Sequence, residues 1–332
     1  MDEVRRDDAG THQGILSRLA WILRRDPQDQ LPTPLDNPIV AGIRISHPSR
    51  LIYPDLGFSK LDLVRYYEAI ADWIVPHVRG RPLTLVHCPT GIAGRCLYLK
   101  HAKAWGPSAL RRVRIQEKTK VGEYLVADSL SAVVALAQMG VVEIHTWNSD
   151  IADVDHPNRI VWDLDPGPLV SWKAIVAAAH VVRDLLDTLG ARAWLKTTGG
   201  RGLHIVVPIK PSLSWATCLS FSRSVSEAIV RTNPDLYTTA FSKKGRERKI
   251  LIDYLRNNRT NTSVCAYSPR ARAGAPVSTP IDWRELHRDP KYWTVTTVER
   301  RLRRLRRDPW AEYWTTSQTI SKAALRAVSA LR

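Results

Sequence analysis

The stretch Ile160-Val161-Trp162-Asp163-Leu164-Asp165-Pro166-Gly167 reads as an apolar strand that ends in two carboxylates and a turn. Alternate side chains of a strand share a face, so Asp163 and Asp165 stand on one side with their backbones about 7 Å apart. Two anions at about 4 Å repel by roughly 4 kcal/mol at an effective dielectric of 20, which calls for a cation nearby. Asp-x-Asp before Pro-Gly is also an ordinary strand ending, so the motif needs company before it means chemistry.

Two further stretches supply that company. Lys196-Thr197-Thr198-Gly199-Gly200-Arg201-Gly202-Leu203-His204 has two adjacent glycines between strand-like flanks. Glycines let backbone N–H groups approach phosphate oxygens, and Arg201 with a threonine hydroxyl suits triphosphate charge. A plain Gly-Gly hairpin with solvated ends would look the same, and His204 would then be a half-buried histidine. Ile252-Asp253-Tyr254-Leu255-Arg256-Asn257 follows the apolar run from Lys249 and offers a third carboxylate. Its bland alternative is an Asp paired with Arg256 or Arg246. His145, in Glu143-Ile144-His145-Thr146-Trp147, alternates onto a face that would meet the same site. Three carboxylates suit oxygen-ligated divalent ions, and two such ions about 3.5–4 Å apart stabilise an in-line phosphoryl displacement. Neither GxxxxGK[ST] nor GxGxxG occurs around residue 199, so the P-loop and dinucleotide-binding readings lack their loops.

Outward from these motifs the pattern is strand, helix, hairpin, helix, strand, which brings all three onto one sheet. Ile175, Val176, Ala179, Val182, Leu185, Leu186 and Leu189 mark an amphipathic helix closed by Gly190. Strands are expected at 192–196, 203–207 and 249–254, with a helix at 213–231. Upstream, Ile43–Ser46 is strand-like, Ser59 is an N-cap for a helix to about Val75, and short strands follow at 83–87, 95–99, 113–115, 122–127 and 141–145. A helix at 129–139 separates the last two. Residues 1–40 form an extension, with a helix at 12–25 and a linker. The main domain spans 41–315 and a C-terminal tail or helix covers 316–332. Val298, Leu302 and Leu305 alternate with six arginines between 300 and 307, either a solvated helix face or a nucleic-acid contact.

The 332 residues carry 49 Lys plus Arg against 32 acids, a formal charge of +17, which points to a polyanionic partner. No apolar run has spanning length and the charged start is not a secretory signal, so neither a membrane nor export is expected. Cys88, Cys96, Cys218 and Cys265 show no zinc spacing and read as reduced thiols of a cytoplasmic protein.

In this order the motifs resemble the polymerase domain of bacterial DNA ligase D, a branch of the archaeo-eukaryotic primase superfamily. The likeness runs from about Ile43 to Trp314 and includes Asp62-Leu63-Val64-Arg65-Tyr66-Tyr67, Arg79-Gly80-Arg81-Pro82-Leu83-Thr84 and Tyr267-Ser268-Pro269-Arg270-Ala271-Arg272. The resemblance implies an α/β (α+β) core of mixed and antiparallel sheets flanked by helices. It implies that Asp163, Asp165 and Asp253 ligate two divalent ions, manganese favoured and magnesium possible. It places Thr198, Arg201, His204, Arg246 and Arg270 at the incoming nucleotide, His145 near its sugar, and Lys60, Tyr98 and Lys100 against DNA. Leu97-Tyr98 stands where the family commonly has two phenylalanines, and Thr198 and Arg201 stand for its usual Ser and Lys.

The expected function is template-directed primer extension at gaps and ends in non-homologous end joining. NTPs and dNTPs would be substrates, ribonucleotides accepted, with a Ku-like protein and a separate ligase as partners. A non-catalytic DNA-end-binding scaffold is the alternative. A haloacid-dehalogenase-type phosphatase is disfavoured because its Asp pair belongs near the start of its domain.

Overall fold

The computed structural model describes residues 37–103 and 106–330. The helix expected at 12–25 lies outside them. Ten strands build the two main sheets: β1 (Leu83–His87), β2 (Leu97–Leu99), β3 (Val141–Thr146), β4 (Arg159–Pro166), β5 (Trp194–Thr197), β6 (Leu203–Pro208), β7 (Tyr237–Thr238), β8 (Ile250–Asp253), β9 (Ser263–Val264) and β10 (Pro280–Ile281). Helices in chain order are α1 (Lys60–Ala69), α2 (Ala71–Val78), α3 (Leu130–Gln138), α4 (Trp172–Thr188), α5 (Trp215–Thr232), α6 (Val295–Leu302), α7 (Ala311–Thr315) and α8 (Lys322–Ala330).

Serine side chains start five of these helices, Ser321 at α8 included. Ser59, Ser129, Ser171 and Ser214 each accept a hydrogen bond from the amide three residues on, satisfying a donor the helix cannot use. The single helix expected from Ser59 to about Val75 is two. Buried Ile70 leaves helical backbone (φ −115°, ψ 19°), and the change of direction lets Leu63 and Tyr67 of α1 and Ile74 and Val78 of α2 all reach the core.

The larger sheet runs β7-β8-β4-β6-β5-β10. Every pairing is antiparallel except β7 with β8. Helices and antiparallel sheets together make this an α+β fold. Helices α4 and α5 both pack on one face. Along β4 the even residues serve that face: Trp162 stacks edge-on to Phe221 and donates Nε1–H to the Ser222 carbonyl at 3.1 Å. The odd residues Val161, Asp163 and Asp165 look the other way. Trp310 and Tyr313 cover Val161, Trp194 and Val206 there, leaving the end with the acids open.

The smaller sheet runs β9-β3-β1-β2, all antiparallel. A two-stranded ribbon, Arg111–Gln116 with Val121–Val126, pairs with neither sheet and packs its second strand against β1. Buried polar side chains join the large sheet to the small one. Arg159, at the start of β4, donates to Thr146 Oγ1 (2.7 Å), the Trp147 carbonyl (2.9 Å) and Asn148 Oδ1 (3.0 Å), at and just beyond the end of β3.

The cysteine expectation fails in one pair. Cys88 and Cys96 form a disulfide, because β1 and β2 pair through His87↔Leu97 and the next positions along the hairpin fall side by side. Cys218 and Cys265 are free and buried. No described helix is long and apolar enough to cross a membrane.

Candidate active site

Strand register assembles the site. Asp163 lies opposite His204 on one side and Asp253 on the other, and His204 lies opposite Lys196. Directly opposed residues share a face, so Lys196, His204, Asp163 and Asp253 form one row across four strands, with Asp165 two residues on from Asp163. Across the opening, β3 contributes His145, and the segment after β9 contributes Arg270. His145, Asp163, Asp165, Thr198, Arg201, His204 and Arg270 line one cavity of about 220 Å³. Asp253 is buried behind Asp163. Arg246 borders an adjoining cavity of about 510 Å³ with Asp165, Arg201 and Lys243.

The row is electrostatically uneven. Burial pushes the Asp163 carboxyl upward, but His204, Arg256 and Lys196 outweigh it and hold it well below the usual range. Burial dominates for Asp253 and raises it to about 6, with Arg256 opposing and the Asp163 and Asp165 charges adding. Burial and Lys196 lower His204 to about 3, so its Nε2–H reaches Asp163 Oδ2 at 3.4 Å from a neutral ring, while Nδ1 has no partner. Burial also brings Lys196 down to about 7; its Nζ donates to Ser278 Oγ at 2.7 Å.

Glu143 organises the facing wall. It lies 2.8 Å from His145 Nε2 and 3.0 Å from Arg270 Nε, and it accepts from the Ala271 amide at 2.8 Å. Burial works against its charge, yet His145 and Arg270 carry it down to about 2. Burial lowers His145 despite Glu143. Arg270 in turn donates Nη1–H to the Thr198 carbonyl, tying this wall to the Gly-rich turn. Gly199 takes φ +66°, and a Cβ there would meet Arg270 Cγ at 2.6 Å. Only glycine lets the turn close against that arginine.

Guanidinium groups compensate the acids. Arg256 reaches Asp163 at 3.3 Å and Asp253 at 3.0 Å, and Arg246 reaches Asp165 at 2.9 Å. The alternative of Asp253 paired with Arg256 therefore holds, and Arg246 serves a different acid. Among the described residues no three His, Cys, Asp or Glu side chains are gathered into a ready metal cage. The donor set nonetheless fits a divalent ion: Asp163 and Asp165 at the open sheet end, with Asp253 buried beside Asp163, are all hard oxygen ligands.

The three residues expected to touch DNA lie elsewhere. Lys60 is 3 % exposed. As the first residue of α1 it turns inward, and its Nζ donates to the Ser46 and Gln138 carbonyls at 2.8 and 3.2 Å. Burial, with Arg50 alongside, lowers it to about 8. This corrects its reading as a surface contact. Tyr98 is 75 % exposed on β2, the edge strand. Lys100 pairs with Glu117 at 3.0 Å.

Sequence reasoning missed the cavity-lining Arg256 and Arg272 and the role of Glu143. Arg256 carried a signal, its position three residues after Asp253. Glu143 carried one too, two residues before His145 on the same strand face. Arg272 carried none beyond following Arg270 by two.

A family model for the LigD primase-polymerase domain matches residues 59–310. The multifunctional non-homologous end joining protein LigD of Pseudomonas aeruginosa is 39% identical over 291 residues, 86% of this chain and 34% of that protein. The Mycolicibacterium smegmatis counterpart is 32% identical over 246 residues, 74% of this chain and 32% of that protein. The chain thus spans about a third of the length of these relatives. Among solved structures, the polymerase domain of Mycobacterium tuberculosis ligase D in complex with DNA matches with a TM-score of 0.75 and 27% identity, covering 79% of this chain and 94% of that one.

Proposed function

Because this chain belongs to the LigD primase-polymerase domain family, we propose that it is a nucleotidyltransferase that extends primers at gaps and ends of broken DNA during non-homologous end joining. One observation carries this reading: the row Lys196, His204, Asp163 and Asp253 faces Glu143, His145 and Arg270 across a cavity floored by the Gly-rich turn.

Asp163, Asp165 and Asp253 would hold divalent ions, two by family likeness and manganese before magnesium. Bound there, such ions lower the barrier to attack by a primer 3′-hydroxyl and neutralise triphosphate charge. The chain's own groups do the remaining work. Thr198, Arg201, Arg270 and Arg256 bind the triphosphate, and neutral His145, held by Glu143, meets the sugar. His204 orients Asp163 through its Nε2–H. Arg246 leaves Asp165 when ligands take that carboxylate. The primer oxygen bonds to the α-phosphorus, pyrophosphate departs, and the hydroxyl proton passes to solvent. Tyr98 offers an exposed ring for a template base and Lys100 an ammonium for the backbone. Ribonucleotides are accepted along with deoxyribonucleotides. A Ku-like end binder and a DNA ligase activity are the partners, in the cytoplasm where the DNA is.

Extension of a labelled primer across a short gap with a 5′-phosphate tests this, comparing rNTPs with dNTPs under manganese or magnesium. Asp163→Ala is expected to lose at least about a hundredfold in rate while keeping DNA affinity. Near wild-type extension by Asp163→Ala would refute the mechanism. No extension by the wild type, with tight DNA binding, would instead mark an end-binding scaffold.

A further inference from the structure

We propose that the arginine-rich surface after α6 is a second DNA contact, which grips duplex beyond the stretch held at the active site. The inference rests on the polymerase reading above and adds a surface to it.

Helix α6 buries Val295, Val298 and Leu302 and continues through a turn to Arg307. Arg300, Arg303, Arg304, Arg306 and Arg307 are exposed. Arg303 pairs with Glu299 and Arg307 with Glu312. The side chains of Arg300, Arg304 and Arg306 have no such partner among the described residues. Three unpaired guanidiniums within seven residues repel one another unless an anion joins them.

The Arg307 end of the patch lies at the far end of β5 from the Gly-rich turn. Glu312, which Arg307 reaches, also takes Arg192, and Arg192 lies just before β5, whereas the Gly-rich turn follows its other end. Seven extended residues separate Arg192 from Gly199, roughly 20 Å. At 3.4 Å per base pair, that is about six base pairs. A duplex end in the cleft reaches this surface only if it runs on for more than about that length.

Chemistry favours phosphate over an acidic protein. No large apolar side chain between 300 and 307 is exposed, whereas protein interfaces draw most of their energy from buried aromatic and apolar anchors. Phosphate binding needs only cations, and each contact releases counterions.

The test uses the full chain with Arg300, Arg304 and Arg306 all changed to Gln. Equilibrium DNA binding is measured over a salt series on two substrates with the same gapped end, carrying about 5 or about 20 base pairs of flanking duplex. For the wild type, log K against log salt is expected to be steeper on the long substrate by about 2–3, close to 0.9 per contact. In the triple variant that difference vanishes, while extension of the short substrate and the thermal midpoint stay as in wild type. A slope difference that persists in the variant overturns the proposal. So does loss of polyglutamate binding with DNA slopes unchanged, which would assign the surface to an acidic protein. If wild type binds long duplex with the steeper slope yet extends nothing, the polymerase reading fails and this surface stands.

Discussion

Asp253 sits where burial and two neighbouring carboxylates act against its charge, so its carboxyl rises to about 6 even with Arg256 beside it. A carboxyl raised above its unfolded value of about 4 contributes stability fully below that pH. The contribution is lost as pH rises through about 6. Asp253→Asn removes the cost of the buried charge and is expected to stabilise the fold at pH 8 by up to about 3 kcal/mol, with little effect below about pH 4. Urea unfolding at both pH values reads this, and an equal effect at both would show that burial of the charge is not the cause. The same variant is expected to lose primer extension. Gly202 carries a steric constraint: a Cβ there would lie 2.3 Å from the Leu164 carbonyl oxygen, where β4 and β6 pair. Gly202→Ala is expected to cost about 1–3 kcal/mol and to impair extension by shifting the turn. A variant as stable and active as wild type would mean that the strands separate freely at that end. Residue types at this scale were readable beforehand: Asp163, Asp165, His204 and the glycines stood out by pattern. Arg256 did not, because a nearby opposite charge reads as ordinary pairing until its second partner, Asp163, is known.

The β1–β2 hairpin carries both a disulfide and the exposed Leu97-Tyr98 pair. Closing so short a loop stabilises the folded chain by about 2–3 kcal/mol through lost freedom in the unfolded one. Cys96→Ser, or wild type under dithiothreitol, is expected to lose that much stability and so to melt at a lower temperature. Identical melts in oxidising and reducing buffer would show that the pair contributes nothing to stability. Most elements follow sequence periodicity closely. The helix expected at 129–139 is α3 at Leu130–Gln138, and the strand expected at 203–207 is β6 at Leu203–Pro208. Other features escaped, the short strands β7, β9 and β10 among them. The α1–α2 break at Ile70 has no Gly or Pro at the break to announce it, and the cysteine pairing depends on strand register, which spacing in sequence does not supply.

At the scale of the whole molecule, the site requires that two sheets hold their relative position. Asn257, 1 % exposed, is part of the joint. Its Oδ1 accepts from the Val161 amide at 2.8 Å and from Asn148 Nδ2 at 3.1 Å, and its Nδ2 donates to the Val161 carbonyl at 2.7 Å. Asn257→Ala strands these groups in the interior and is expected to destabilise the protein by about 3 kcal/mol or more, beyond any loss of extension. Chemical denaturation checks this; a cost below about 1 kcal/mol would mean that water replaces the amide. Sequence alone determined the apolar strands, the serine-started helices, the three carboxylates and the Gly-rich turn, because these follow from periodicity and local hydrogen bonding. Only tertiary structure decided which side chains meet. Register set Lys196, His204, Asp163 and Asp253 in one row. Packing turned Lys60 inward and brought Arg256 between two acids. Most of these contacts, Arg256 with Asp163 among them, join residues far apart in the chain, and local propensity does not encode the register and packing that bring them together.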